Sequence, residues 1–212
     1  MSVKKGSAVD AALLHFKQVD PILYVAALPH AEYLQTKTAR KRKTGNTLFA
    51  ELASSVTGQQ LSTKAADTIW SRLVLACKGE VTPEAIKRLR MPTLRKAGLS
   101  AAKARTLKEL SEATLSRKLN LLNLKKINEE QAIAELSSVW GIGRWTAEMF
   151  LMFALYREDV FSVGDLGLRR SMETLYVLEK DVHQNQLEDI SKRWSPHRTV
   201  ASRVLWRIRD SK

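Results

Sequence analysis

Apolar positions recur at helical spacing along nearly the whole chain. Ala12, Leu13, Phe16 and Val19 form one stripe over 9–19, followed by the turn residues Asp20 and Pro21. A short helix is expected over 21–28, stopped by Pro29. Leu48, Leu52 and Val56 mark a helix over 47–56, with Asn46 as its expected cap. Ala65, Ile69, Leu73 and Ala76 mark the inner face of a longer helix capped by Ser62 or Thr63 and running to Cys77. Thr82-Pro83-Glu84 reads as a cap with proline at the first helical position, Gly98 closes the next short helix, and Ser100 opens one over 101–112. Asn128 caps 129–139, Gly143 starts 143–155, and further helices are expected at 167–177, 184–194 and 197–209. Only Val160 to Val163 suggests a short extended piece. The pattern predicts an all-α protein.

The 212 residues suffice for one large domain or two small lobes, and 44% are apolar, enough for a sizeable core. The net charge of +13 points to a polyanionic partner. No long apolar run and no signal-peptide pattern is present. No membrane partner is therefore expected, and the chain reads as soluble and intracellular, in the cytoplasm or nucleoid of a prokaryote or the nucleus of a eukaryote. Cys77 stands alone, which excludes an internal disulfide, a four-cysteine zinc site and a cysteine-ligated iron–sulfur cluster. His15, His30, His183 and His197 show no metal-ligand spacing, and phosphate-loop, dinucleotide and Gly-x-Ser-x-Gly signatures are missing. TKTARKRKT, at 36–44, carries five positive charges and no apolar anchor. It reads as a solvated loop or a phosphate-facing one, at a boundary between lobes.

Two stretches carry candidate chemistry. VWGIGRWTAE, at 139–148, places Gly141 and Gly143 in a turn between two helices. Glycine lets the backbone approach a partner, and the first amides of the following helix lack internal acceptors. With the positive end of the helix dipole, they suit one phosphate oxygen. Ile142 is expected to anchor the turn in the core, and Arg144 to add a charge-assisted contact. A plain helix connector is the competing reading. DVFSVGDLGLRR, at 159–170, then places Asp165 at a helix start. It suits an ordinary N-cap, and equally a carboxylate that the dipole keeps ionised to face a developing cation.

Together these stretches resemble the helix–hairpin–helix DNA glycosylases, most closely the 3-methyladenine DNA glycosylase II branch. The resemblance spans about 40–209 and includes SSVTGQQLSTKAADTI at 54–69, GLSAAKARTLKEL at 98–110 and RWSPHRTVASRVLW at 193–206. It implies two helical lobes with a cleft between them: a central bundle over 40–157 containing the hairpin, and a second lobe from 1–39 plus 158–212. Larger bacterial members add an N-terminal β-rich domain, which is expected to be absent here.

The resemblance further implies that Asp165 is the catalytic aspartate. Trp145, Trp206, Met149 and Leu166 would line the base pocket. Gly141, Gly143, Arg144 and Thr146 would hold the DNA backbone, and Gln60 or Leu61 would fill the gap left by a flipped base. Trp145 stands where backbone-cutting members carry lysine, which implies a monofunctional enzyme. Gly164, Leu166 and Met149 depart from an acid and two tyrosines of some members, leaving open the range of accepted bases. Main-chain carbonyls of Ser137, Val139 and Ile142 would hold Na+ or K+; no cofactor would be needed for catalysis. The expected substrate is double-stranded DNA with alkylated purines, acted on by a monomer. A glycosylase for uracil, a mismatched base or an oxidised base remains open, as does a non-catalytic DNA-binding module. Trp70, Trp140 and Trp194 are expected in the core.

Overall fold

The computed structural model describes residues 7–36 and 43–210. Among them the secondary structure is helical, with no strand. The chain divides into two compact units, Arg42–Leu155 and the combination of Met1–Lys41 with Tyr156–Lys212.

The first unit contains α4 (Gly45–Gly58), α5 (Thr63–Ala76), α6 (Pro83–Arg88), α7 (Met91–Lys96), α8 (Ala101–Leu115), α9 (Glu129–Ser137) and α10 (Arg144–Phe153). Helix α4 packs on α5, α8 and α10; α8 also carries α6 and α7, and α9 pairs with α10. The core holds the predicted Leu48, Leu52, Val56 and Leu73, together with Leu107, Ile133, Leu136 and Leu151, while Ala65, Ile69 and Ala76 of the predicted α5 stripe are only half-buried. Ser62, Thr82, Ser100 and Asn128 cap their helices through side-chain oxygens, as their positions predict.

The second unit joins the two ends of the chain. It holds α1 (Ala8–Val19), α2 (Pro21–Ala27), α3 (Ala31–Thr36), α11 (Leu166–Leu175), α12 (Gln184–Lys192) and α13 (Arg198–Asp210). Val9, Ala12, Phe16 and Leu23 share one core with Leu168, Met172, Trp194 and Val204. Buried Asp20 ties the two ends together. It accepts hydrogen bonds from the Leu23 amide (3.0 Å), Tyr176 Oη (2.7 Å) and Trp194 Nε1 (2.8 Å). Burial, with Asp20 next to it, pushes the Tyr176 phenol well above its usual range. Three donors satisfy a carboxylate whose burial would otherwise be destabilising.

Four local expectations change. Thr44, not Asn46, caps α4, because its Oγ1 lies 3.2 Å from the Thr47 amide and the helix begins at Gly45. Pro29 does not end the helical run; it sits in a 3-10 turn, Leu28–His30, that leads into α3. Proline lacks only the amide that a first helical turn leaves unused. Residues 160–163 form no strand. Val160 and the residues just before it bond instead to α13: the Val160 amide donates to Thr199 Oγ1 at 3.1 Å, and the Thr199 amide to the Glu158 carbonyl at 3.0 Å. Of the basic run at 36–44, residues 37–42 lie outside the described residues. Lys43 does not act as a solvated charge: its Nζ pairs with Glu51 at 2.6 Å. No described helix is long and apolar enough to cross a membrane.

Candidate functional site

The turn between α9 and α10 uses its two glycines differently. Gly141 has φ +83°, and a Cβ there would lie 2.1 Å from Thr106 Oγ1 on α8. Both the backbone conformation and the close approach to α8 exclude a side chain. Ile142 is buried as expected, and its amide donates to the Val139 carbonyl at 3.1 Å. Gly143 has φ −84° and ψ 170°, which any residue adopts, and a Cβ there would meet nothing within 4 Å. Packing therefore does not require glycine at 143. Its consequence is an α10 N-terminus with no side-chain cap, the arrangement that favours an external anion.

Arg144 is already engaged by two carboxylates. Its Nη1 and Nη2 donate to Glu130 at 2.9 and 2.5 Å, and its Nε donates to buried Glu148 at 2.9 Å. The guanidinium closes α9 onto α10, and its side chain remains 55% exposed. The Arg144 hydrogen bond holds the Glu130 carboxyl below the usual carboxylate range, and the paired carboxylates raise Arg144. Thr146 takes part through its main chain. Its side chain is buried and its hydroxyl accepts from Gln59 Nε2 at 3.1 Å, so only its main chain belongs to the open helix end. Trp145, next to it, is exposed, and Met149 one turn on is half-buried.

Gln59 joins this turn to a second one. Gln60, exposed with φ +56°, and Leu61, exposed, form the tip between α4 and α5. Leu61 is thus not a core residue. A non-glycine residue with positive φ is strained by about 1 kcal/mol or more and needs support. Lys103 provides it: Nζ donates to the carbonyls of Thr57 and Gln59 at 2.8 and 2.7 Å. Burial lowers the Lys103 pKa. Sequence reasoning missed this lysine, since nothing in its own segment points 44 residues back along the chain.

Trp140 is a further correction. It is 41% exposed, not core, with the Arg105 guanidinium 4.2 Å from its ring centroid. Trp70 is half-buried, while Trp194 is fully buried as expected.

In the second unit, Asp165 is the N-cap of α11. Its Oδ1 accepts from the Leu168 amide at 2.9 Å and from Trp206 Nε1 at 3.0 Å. The carboxylate is half-buried, not sealed in the interior. Helix α11 packs against α13, which brings Trp206 to Asp165 across 41 residues of sequence. Leu166 is exposed. The structure therefore gathers Asp165, Trp206 and Leu166 on one unit. Gly141, Gly143, Arg144, Trp145, Thr146, Met149, Gln60 and Leu61 belong to the other. Among the described residues, no cluster of His, Cys, Asp or Glu could hold a metal ion.

This chain matches known proteins over most of its length. The profile described as HhH-GPD superfamily base excision DNA repair protein matches residues 53–197. DNA-3-methyladenine glycosylase 1 of Schizosaccharomyces pombe is 35% identical over 162 residues, covering 75% of this chain and 71% of that protein. A crystal structure of a DNA-3-methyladenine glycosidase from Bacillus halodurans superposes with a TM-score of 0.79 at 33% identity, covering 99% of this chain and 93% of the other. The 3-methyladenine DNA glycosylase of S. pombe in complex with abasic DNA gives 0.71 at 30% identity, covering 92% and 95%.

Proposed function

The chain belongs to the HhH-GPD superfamily of base excision DNA repair proteins, and on that premise we propose that it is a monofunctional DNA glycosylase excising alkylated purines. Its substrate is duplex DNA. The observation that carries the reading is Asp165: a carboxylate at a helix start, oriented by Trp206 and only half-buried.

The target base lies inside a stacked duplex and must be flipped out, at a cost of a few kcal/mol. Backbone amides at the uncapped start of α10 hold the DNA backbone, without reading sequence. The main-chain carbonyls of Ser137, Val139 and Ile142 are the neutral oxygen donors that suit Na+ or K+. The Val139 oxygen, already accepting the Ile142 amide, keeps a second lone pair for an ion. Such an ion would supply positive charge towards a phosphate. Gln60 or Leu61, at the strained tip, fills the space vacated by the base.

N3- and N7-alkylated purines carry positive charge and leave readily once the glycosidic bond stretches. The enzyme must then stabilise a sugar with oxocarbenium character and direct water to it. Asp165 does both, as fixed anion and as acceptor for the water's proton. The exposed indole of Trp145 and the half-buried one of Trp206 offer electron-rich faces to a cationic base. Trp145 also leaves no amine at that position for a Schiff base, so the DNA strand is not cut.

Methylated duplex DNA incubated with the protein should yield free 3-methyladenine and 7-methylguanine, identified by chromatography. Asp165→Asn should strongly slow release while DNA binding persists. Undiminished release by that variant removes Asp165 from the reaction. Uracil or oxidised bases released in place of methylpurines would move the activity to neutral lesions.

A further inference from the structure

Gly167 lies two residues after Asp165 in α11, and its backbone does not demand glycine: its φ falls outside the positive range. A neighbour occupies the space a side chain would take. A Cβ at 167 would lie 2.2 Å from Arg209 Nη1 and 3.0 Å from Asp165 Oδ1. The arginine nitrogen and the carboxylate oxygen thus flank the one point a side chain would occupy. Arg209 stands one turn beyond Trp206 on α13, so the two side chains share a helix face. One reaches Asp165 and the other lies over Gly167.

Nε and Nη2 of Arg209 donate to the adjacent Asp210 at 3.0 and 2.8 Å, leaving Nη1 as the nitrogen turned to Gly167. Both partners of that pair are about half exposed, 51% and 52%, and exposed pairs of this kind hold a side chain weakly. Arg209 is therefore a permanently charged, accessible fork beside the carboxylate.

We propose that Arg209 binds a DNA phosphate flanking the flipped nucleotide and offsets the repulsion between Asp165 and the DNA backbone. The inference rests on the reading of Asp165 above. A deoxyribose facing that carboxylate carries a phosphate on either side along its strand, so an acid aimed at the sugar is also brought towards two anions. A guanidinium held beside the acid answers this. It forms two parallel hydrogen bonds to phosphate oxygens, and it stays charged at every working pH. Glycine at 167 keeps the space for it.

The test is a cycle of protein and DNA substitutions. In duplexes with one methylated purine, the phosphate on each side of it is replaced in turn by an uncharged methylphosphonate. For the unaltered protein, one replacement should weaken binding roughly tenfold, as loss of a charged hydrogen-bonded contact does. For Arg209→Ala neither replacement should matter, and the slope of log K against log salt should fall by about 1. Gly167→Ala, which keeps the charge but displaces the guanidinium, should lose the same sensitivity. Asp210→Asn, which removes only the adjacent partner, should retain it. Full methylphosphonate sensitivity in Arg209→Ala or Gly167→Ala overturns the assignment. Absence of base release by the unaltered protein, with the cycle behaving as expected, would instead overturn the glycosylase reading and leave the phosphate contact standing.

Discussion

Helices α10 and α11 are both 10 residues long and both follow a glycine-containing turn, yet their first turns are opposites. At α10 the cap is Gly143, with no side chain to close the end. At α11 the cap is Asp165, whose carboxylate takes the Leu168 amide at 2.9 Å. Each helix N-terminus carries partial positive charge. Left open, it receives an anion from outside; capped by an acid, it presents an anion of its own. On the proposed reading, one local device would serve a phosphate at α10 and, on the other unit, a sugar cation at α11. Ser7, Thr44, Ser62, Thr82, Ser100 and Asn128 cap in the ordinary way, whereas α10, like the short α7 behind Arg90, starts without a side-chain cap.

The largest test is at α11. Asp165→Asn keeps a capping oxygen but loses the charge, and should slow base release in single-turnover assays by about 100- to 1,000-fold, matching the 3–4 kcal/mol of a preorganised electrostatic contact. DNA affinity should hold or rise.

Gly141→Ala comes next. It forces φ +83° on alanine and drives a methyl group into Thr106. A loss of about 1–3 kcal/mol of stability is expected, read as a lower Tm, together with weakened DNA binding.

Gly143→Asp is the sharpest comparison, because it writes the α11 cap onto α10 at a position with space for it. Thermal stability should rise by a few tenths of a kcal/mol. DNA affinity should fall roughly tenfold, as a charged contact is replaced by repulsion. Stability and affinity rising together would break the contrast between the two helix ends.

The smallest effect is expected at the clamp behind the hairpin. Glu130→Gln removes a negative charge, so bulk electrostatics alone predicts tighter DNA binding. If Arg144 positions α10 through Glu130, binding should weaken instead, by a few-fold, as befits a partly exposed pair. The Glu130 carboxyl is held below its usual range. A lowered acid stabilises the fold above its unfolded pKa and loses that contribution as pH falls through the folded value. The clamp should therefore persist as pH drops through the ordinary glutamate range and open only below it, as followed by titrating Glu130 with NMR.

Much of the helical framework was legible in the residues because its signals are short-range. Ser62, Thr82, Ser100, Asn128 and Asp165 all cap where their neighbours place them. Asn46 misled because Thr44, two residues earlier, is an equally good cap, and local sequence does not rank the two. Pro29 misled because the same ring that ends one helix can begin the next turn. Trp140 looked like core because its apolar identity says nothing about the side of the turn it occupies. For Arg144, Glu148 stands one helical turn ahead and could have been noticed. Glu130, 14 residues back on another helix, could not.

What the sequence by itself determined is local: the helices, most of their caps, the glycine turn and the acid at a helix start. Each follows from periodicity and hydrogen bonding over three or four residues. What only the tertiary structure decided is which groups at those positions are already engaged. Glu130 and Glu148 engage Arg144, Lys103 steadies the Gln60 tip, and α13 delivers Trp206 and Arg209 to Asp165 and Gly167. Those pairings depend on how helices pack across tens of residues, because charge and hydrogen-bonding partners are selected by distance in space, which residue order does not specify.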